Sequence, residues 1–272
     1  MVNQRHGVLH SFICGQKFKF QLFFHTFVSD MKRILAYVLT ALYLLSFGIL
    51  IVVFHPIQMI CWHVWGYRAQ KRAVEIMNFL LIKSLIILGC RVKFKGLDKI
   101  PPNQPLIIVS NHQSQYDIPP VVWAFRKHYP KFISKIELGK GIPSISYNLR
   151  KGGSALIDRS NKGQAIKEII KLGRIIEEHN YSACIFPEGT RSKDGKVRMF
   201  KVGGLGTLLK TAPSAAIVPF AVDKNYLLQK MPMGIGLKLT YSILNPIDRA
   251  NKTAEEITEL CELAIKQELG QA

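Results

Sequence analysis

The chain has 272 residues, of which 48% are hydrophobic, and its mean hydropathy is +0.13. This composition excludes a disordered or fibrous chain, because so large an apolar fraction must be buried. Thirty-seven lysines and arginines oppose 18 acidic residues, giving a formal charge of +19. That excess favours anionic partners such as phospholipid headgroups, phosphorylated metabolites or nucleic acid. The five cysteines show no paired spacing, which argues against a disulfide framework or a zinc site and for a reducing compartment.

Residues 1–30 show no clean helical or alternating period. They stop just before Met31, Lys32 and Arg33, and a basic pair followed by an apolar run is how many membrane-inserted chains begin. We therefore interpret residues 1–30 as an N-terminal arm or a mis-assigned start, and assign them no function.

Residues 34–54 contain no charged side chain, and a helix of this length can cross a hydrocarbon core of ~30 Å. A second apolar stretch covers residues 76–88. Lysines and arginines flank the first stretch on both sides, so the positive-inside rule gives no orientation. We predict a membrane-anchoring region over residues 31–90, as a single helix or a helical hairpin. Monotopic and bitopic anchoring both remain open.

From residue 91 the pattern changes to short apolar runs separated by basic residues and by Gly or Pro turns. Such runs predict strands, whereas apolar residues at helical spacing predict helices. Predicted strands cover residues 92–94, 106–110, 132–134, 155–157, 183–186, 217–222 and 237–244, the last at an edge. Predicted helices cover residues 119–125, 165–179, 203–210 and 253–269, the last capped by Thr253. This alternation predicts one α/β domain over residues 91–272, with a mixed sheet flanked by helices.

A polar cluster containing His112 and Asp117 directly follows the predicted buried strand 106–110. On a regular helix these two side chains would diverge by ~140°, so they meet only if the segment turns before the helix begins. Pro119 and Pro120 favour a helix that starts just after them. If the two meet, Asp117 fixes the imidazole tautomer and His112 can act as a general base. Taken alone, a His and an Asp five residues apart also occur by chance.

Two further strands end in polar segments, at residues 153–159 and 186–192, and each segment supplies an arginine. The planar guanidinium of Arg159 or Arg191 matches phosphate oxygens in two-point contacts. Backbone N–H groups in a turn set by Pro187 and Gly189 could also face an anion. The alternative for each segment is a surface turn with salt-bridged charges.

Taken together, these segments resemble the glycerolipid acyltransferase family, most closely bacterial 1-acyl-sn-glycerol-3-phosphate acyltransferases. The matching blocks, in the family's order, are the His-x4-Asp block at residues 111–117, the block at residues 153–159, the Phe-Pro-Glu-Gly-Thr-Arg-Ser block at residues 186–192 and the block at residues 217–220. Residues 133–138 also resemble the segment between the first two blocks. Leu156 stands where phenylalanine is common, and Tyr116 where many relatives carry tryptophan or another aromatic residue, which leaves substrate preference open.

The resemblance implies an enzyme that transfers a fatty acyl group from acyl-CoA or acyl carrier protein to the sn-2 hydroxyl of 1-acyl-sn-glycerol-3-phosphate. The product would be phosphatidic acid, with no metal, no cofactor and no covalent acyl-enzyme. It implies His112 as the base and Asp117 as its partner. The residues that it implies for substrate binding are Arg159, Glu188, Gly189, Thr190, Arg191 and Lys135.

The expected partners are therefore membrane phospholipid, lysophosphatidic acid and the acyl donor, at the cytoplasmic face of the inner (plasma) membrane. One alternative is an acyltransferase that acts on another lysophospholipid or lipid acceptor. A second is a non-catalytic protein that binds membranes through its basic surface, although this would not need His112 and Asp117. A nucleic-acid binder is disfavoured, because no binding module is recognisable beside the predicted anchor.

Overall fold

The computed structural model describes the chain from residue 3 to residue 272, with side chains from residue 28 onward. The expectation for residues 1–30 therefore lies almost entirely outside the described side chains. The helices are α1 (Asn3–Ser84), α2 (Ile118–Ala124), α3 (Ile145–Lys151), α4 (Lys162–His179), α5 (Val202–Thr211) and α6 (Ala254–Glu268). The strands are β1 (Arg91–Lys95), β2 (Leu106–Ser110), β3 (Pro130–Lys135), β4 (Ala155–Ile157), β5 (Ser182–Ile185), β6 (Ala216–Asp223) and β7 (Lys238–Ile243).

The seven strands form one mixed sheet with the order β1-β7-β6-β2-β5-β3-β4. Strands β6, β2, β5, β3 and β4 are all parallel, whereas β7 runs antiparallel to β6 and parallel to β1. The predicted mixed α/β sheet is thus confirmed. The prediction that residues 237–244 form an edge strand is wrong, because β1 pairs with β7 along its full length and covers that edge.

The two faces of the sheet carry separate hydrophobic cores, and β2 contributes to both. Ile107 and Val109 pack with apolar residues of α4, α5 and α6, whereas Leu106 and Ile108 face α2 and part of α1. Side chains alternate between the faces of a strand, so a strand that is covered on both sides reads as a continuous apolar run. The architecture is three-layered, with β2 at its centre.

Helix α1 reverses direction at Gly66, where φ is 76° and ψ is −166°. This backbone conformation is essentially restricted to glycine. Side chains on the two sides of Gly66 then meet: Gln70 Nε2 donates to Gln58 Oε1 over 3.3 Å, and Phe54 packs with Met77. The described part of α1 is therefore a helical hairpin, one of the two arrangements that the sequence predicts.

The two arms of the hairpin have different surroundings. In the first arm, large apolar side chains are exposed at helical spacing. The segment Val28–Leu88, which includes both arms, is long and apolar enough to cross a membrane by length and composition. Most apolar side chains of the second arm are buried: Val74 and Leu85 lie in the core of the domain, whereas Met77 and Leu81 pack with Phe54 of the first arm. The apolar stretch at residues 76–88 is thus mainly buried, and the first arm carries the outward apolar face.

Helices α4 and α5 approach closely at Gly173, where an added Cβ atom would collide with the side chain of Thr211. We expect Gly173→Ala to destabilise the folded chain by about 1–3 kcal/mol, because neighbouring atoms must shift to admit the methyl group. Gly163 lies in the first turn of the same helix, and an added Cβ would meet its nearest neighbour at 3.6 Å. Gly163→Ala should be neutral or stabilising by up to about 1 kcal/mol. Denaturant unfolding of both variants in detergent tests the pair, and equal stabilities would contradict the close packing.

Candidate active site

The polar segments predicted from the sequence lie at one edge of the sheet. Because the central strands are parallel, their carboxyl ends meet at the same edge, where α/β folds commonly hold ligands. His112 and Asp117 follow β2, and residues 186–192 follow the neighbouring strand β5. Lys135 ends β3, and Arg159 follows β4 at the outer edge of the sheet. With strands ~4.8 Å apart, Lys135 is offset from β2 by about 10 Å and Arg159 by about 14 Å.

His112 and Asp117 are in direct contact, since His112 Nδ1 lies 2.8 Å from Asp117 Oδ2. The segment turns before the helix begins: residues Gln115–Asp117 form a short 3₁₀ helix, and Pro119 and Pro120 follow in the first turn of α2. The turn is fixed by a capping box, in which Ser114 Oγ accepts from the Tyr116 N–H and Asp117 accepts from the Ser114 N–H. This local geometry brings together two side chains that a regular helix would separate.

The carboxylate of Asp117 is fully buried and needs hydrogen-bond donors to hold a charge there. Its Oδ2 accepts from the backbone N–H groups of Gln113, at 2.7 Å, and Ser114, at 2.9 Å, as well as facing His112. Its Oδ1 accepts from Ser114 Oγ at 3.1 Å and from Asn225 Nδ2 at 2.8 Å. These donors satisfy the buried carboxyl group, and Oδ2 can also accept from the Nδ1–H of His112.

The imidazole of His112 is oriented by contacts on its face and its backbone. The Phe186 ring stacks on it with centroids 4.2 Å apart and planes inclined by 25°. The side chain remains 17% exposed, and its Nε2 has no hydrogen-bond partner among the described residues. With Nδ1 facing Asp117, Nε2 is the nitrogen that a substrate can reach.

Glu188 supports the loop that carries His112. Its carboxylate is buried, with 4% of the residue exposed, and Oε1 accepts from the His112 N–H at 2.8 Å. Burial raises the pKa of Glu188 to about 7, although the N–H donors of His112 and Arg198 oppose that rise. The Ser192 N–H in turn donates to the His112 carbonyl at 2.8 Å. The segment after β5 thus holds the backbone of His112 from two directions.

The remaining predicted residues are arranged more loosely. Thr190, Arg191, Arg159 and Lys135 are exposed at the same edge of the sheet, and Gly189 has a positive φ of 73° in the turn between Glu188 and Thr190. The structure therefore brings His112, Asp117 and Glu188 into one hydrogen-bonded group, with Arg191 beside it. Arg159 and Lys135 share that edge without contacting the group.

Sequence reasoning did not single out two asparagines that hold the same loop. Asn111 exchanges two hydrogen bonds with the backbone of Val222, at 2.9 and 2.8 Å. Asn225, in the 3₁₀ helix Asn225–Gln229 that follows β6, contacts Asp117. Asn111 lies inside the first motif block, whereas the only signal for Asn225 is its position shortly after the fourth block.

We expect the buried carboxyl of Glu188 to give the fold a pH dependence. Its pKa is higher in the folded chain, at about 7, than the usual 4.5, so the folded state binds more protons between these values. The free energy of unfolding should therefore fall as pH rises through this window, by about 3 kcal/mol at most. Glu188→Gln cannot ionise, so its free energy of unfolding should not fall in this way. The melting temperature of Glu188→Gln minus that of wild type should therefore increase from about pH 5 to about pH 8. Parallel melting curves for the two proteins would contradict the assignment.

The chain is similar in sequence and in fold to known acyltransferases. The family model described as Acyltransferase matches residues 91–223. The 1-acyl-sn-glycerol-3-phosphate acyltransferase alpha of Ovis aries is 28% identical over 150 residues, which cover 55% of this chain and 51% of that protein. The 1-acyl-sn-glycerol-3-phosphate acyltransferase of Borreliella burgdorferi is 27% identical over 184 residues, covering 66% of this chain and 72% of the relative.

Among the mammalian relatives that it matches, the chain spans 51% to 66% of their length. The crystal structure of the 1-acyl-sn-glycerophosphate acyltransferase PlsC from Thermotoga maritima superposes with a TM-score of 0.69 at 25% identity. The superposition covers 89% of this chain and 96% of that one, so it includes much of the hairpin as well as the sheet. Residues 91–223 of this chain therefore match the acyltransferase family model, and the chain has a PlsC-like fold.

Proposed function

We propose that this protein transfers a fatty acyl group from acyl-CoA or acyl carrier protein to the sn-2 hydroxyl of 1-acyl-sn-glycerol-3-phosphate, forming phosphatidic acid. The observation that carries the proposal is the 2.8 Å contact between His112 Nδ1 and the buried Asp117 carboxylate, within a domain that matches the acyltransferase family. Relatives named for this reaction support the choice of acceptor.

In the proposed mechanism the hydroxyl of the acceptor attacks the thioester carbonyl directly. His112 Nε2 removes the hydroxyl proton as the new C–O bond forms, and Asp117 stabilises the resulting imidazolium through Nδ1–H. The tetrahedral intermediate then collapses, the C–S bond breaks, and the imidazolium returns the proton to the leaving thiolate. Cys184 cannot serve as an acyl carrier, since it lies fully buried in β5 and burial raises the pKa of its thiol.

The phosphate of the acceptor would bind at the exposed cations beside the dyad. Arg191 directly precedes Ser192, whose N–H donates to the His112 carbonyl. Thr190 offers a hydroxyl on the same segment, next to the Gly189 turn, which is closed by a hydrogen bond from the Gly189 N–H to the Phe186 carbonyl at 3.0 Å. Arg159 and Lys135, two and one strands beyond β5, would contact more distant oxygens of the substrates. Such positioning can contribute ~7–11 kcal/mol to the barrier reduction.

The hairpin would hold the enzyme at the lipid surface that contains its acceptor and product. The exposed apolar side chains of its first arm include Ile34, Leu35, Val38, Leu42, Leu45, Ile49, Val52, Ile60, Val64 and Trp65. This face would enter the membrane, and the basic surface of the chain would favour anionic headgroups, with ~1 kcal/mol for each cation near the surface. We place the protein at the cytoplasmic face of the inner membrane, where the thioester donors are made.

Replacing the proposed base is the first test of the reaction. Purified wild type in detergent, given oleoyl-CoA or oleoyl-acyl carrier protein with 1-oleoylglycerol-3-phosphate, should form phosphatidic acid. His112→Ala should lower kcat by about 10²–10⁴-fold, whereas His179→Ala, an exposed histidine at the end of α4, should not. If product forms only with another lysophospholipid, that lipid replaces 1-acyl-sn-glycerol-3-phosphate as the proposed acceptor. If no acceptor gives product, the alternative of a non-catalytic membrane-binding protein is favoured.

Replacing the proposed phosphate ligands tests how the acceptor is held. Arg191→Ala should raise the KM for 1-oleoylglycerol-3-phosphate about 10- to 100-fold, the cost of a charge-assisted hydrogen bond. Arg159→Ala should have a smaller effect because it lies on the outer strand. Arg191→Lys should restore only part of the affinity, since an ammonium lacks the two-point geometry. Arg174→Ala, an exposed arginine of α4, is the control, and an equal KM change in it would indicate a general charge effect.

A further inference from the structure

The short 3₁₀ helix Asn225–Gln229, directly after β6, lies against the loop that carries His112. Two of its residues bind the same neighbour: the Tyr226 N–H donates to Gln113 Oε1 at 3.3 Å, and Gln229 Nε2 donates to the Gln113 carbonyl. A third residue, Asn225, reaches past Gln113 to Asp117. This segment is more than 100 residues from the loop in the chain, and the motif blocks do not include it.

Asn225 differs from every other donor to Asp117. The donors at Oδ2, together with Ser114 Oγ at Oδ1, belong to residues 112–114 of the loop itself. Among the described residues, Asn225 is the one donor from elsewhere in the fold, at 2.8 Å from Oδ1. The carboxylate is thus tied to its own turn by four contacts and to the body of the sheet by one.

The amide of Asn225 is itself held in a single orientation. Its side chain is fully buried, and its Oδ1 accepts from the hydroxyl of Tyr241 on β7 at 2.9 Å. Turning the amide over would place its oxygen against the Asp117 carboxylate, which is repulsive. A chain of hydrogen bonds therefore runs from Tyr241 through Asn225 and Asp117 to His112, and each member fixes the next.

We propose that Asn225 is a positioning residue, which acts through Asp117 to keep the Nδ1–H of His112 on the carboxylate and Nε2 directed at the acceptor hydroxyl. This rests on the proposed function. The hydrogen bond from Asn225 Nδ2 stabilises negative charge on Oδ1 of Asp117. It therefore also weakens the attraction of this carboxylate for the imidazolium proton. Without it, the carboxylate would lose its external anchor and hold the protonated ring more tightly. The first effect misdirects Nε2, and the second lowers the fraction of His112 that is unprotonated and able to accept the hydroxyl proton near pH 7.

Asn225→Ala leaves the other titratable groups around Asp117 in place. They are Cys184 on β5, Tyr241 on β7 and Glu188 on the segment after β5. Burial raises the pKa of the Cys184 thiol and of the Tyr241 hydroxyl, so both are neutral near pH 7. Burial raises the pKa of Glu188 to about 7, so it titrates in the same range, but it is present in wild type and in both variants. A difference in the protonation of His112 between wild type and Asn225→Ala at one pH is therefore attributable to the hydrogen bond at Oδ1.

The test compares Asn225→Ala with Tyr241→Phe, which removes only the hydroxyl that holds Asn225. Tyr147→Phe is the matched control, because the Tyr147 hydroxyl is buried and has no hydrogen-bond partner in the described part of the chain. We expect Asn225→Ala to lower kcat by up to about 10²-fold with little change in the KM for 1-oleoylglycerol-3-phosphate. Tyr241→Phe should give a smaller loss of the same kind, and Tyr147→Phe none. The acidic limb of the pH–rate profile should move to higher pH in the first two variants.

A second readout needs no turnover, so it separates this proposal from the proposed function. In 15N-histidine NMR at about pH 7, with His112 assigned from His112→Gln, Asn225→Ala and Tyr241→Phe should show more imidazolium at His112 than wild type. A folded Asn225→Ala protein with an unchanged or smaller imidazolium signal would overturn the proposal, as would a raised KM at unchanged kcat. If Asn225→Ala does not fold, the same criteria apply to Tyr241→Phe. An inactive wild type would remove the proposed function and leave the NMR comparison decisive for Asn225.

Discussion

The buried carboxylate of Asp117 is the constraint on which the rest of the site depends. An ionised group with no solvent contact is tolerated only if hydrogen-bond donors replace the water that it loses. Most of those donors belong to one tight turn, and hydrogen bonds from neighbouring segments of the chain keep the backbone of that turn in place. Glu188 and Ser192 bind the backbone of His112 on the β5 side, and Asn111 fixes the loop to β6 on the other.

This arrangement explains why the loop lies where it does in the sheet. β2 is flanked by β5 and β6, so the segment after it has partners on both sides, and each partner is the end of a parallel strand. A loop at an outer strand would be held from one side alone. The same placement leaves Arg159 and Lys135, which end the outer strands, exposed and free to adapt to a ligand.

Much of the fold follows from the sequence, because apolar periodicity reports local burial. The strands 106–110 and 155–157 and the capping of α6 by Thr253 all have local signals, and the structure contains each of them. Lateral order in the sheet is not local. The prediction of an edge strand at residues 237–244 is wrong because β1, about 150 residues earlier in the chain, covers β7. Asn225 went unnoticed for the same reason, since its contact with Asp117 joins residues 108 positions apart.

The first arm of the hairpin, which carries the exposed apolar side chains, packs directly against the turn that contains Asp117. Tyr43 and Phe47 of its first arm pack edge-on against Tyr116, with ring centroids 5.7 Å apart in both pairs, and Tyr116 precedes Asp117 in the capped turn. On the same arm, residues one helical face away carry the exposed apolar side chains. The first arm thus carries an exposed apolar face and another face that packs on the turn that fixes Asp117. Because that turn also holds Asp117 against His112, the packing of Tyr116 couples the position of the hairpin to the geometry of the dyad.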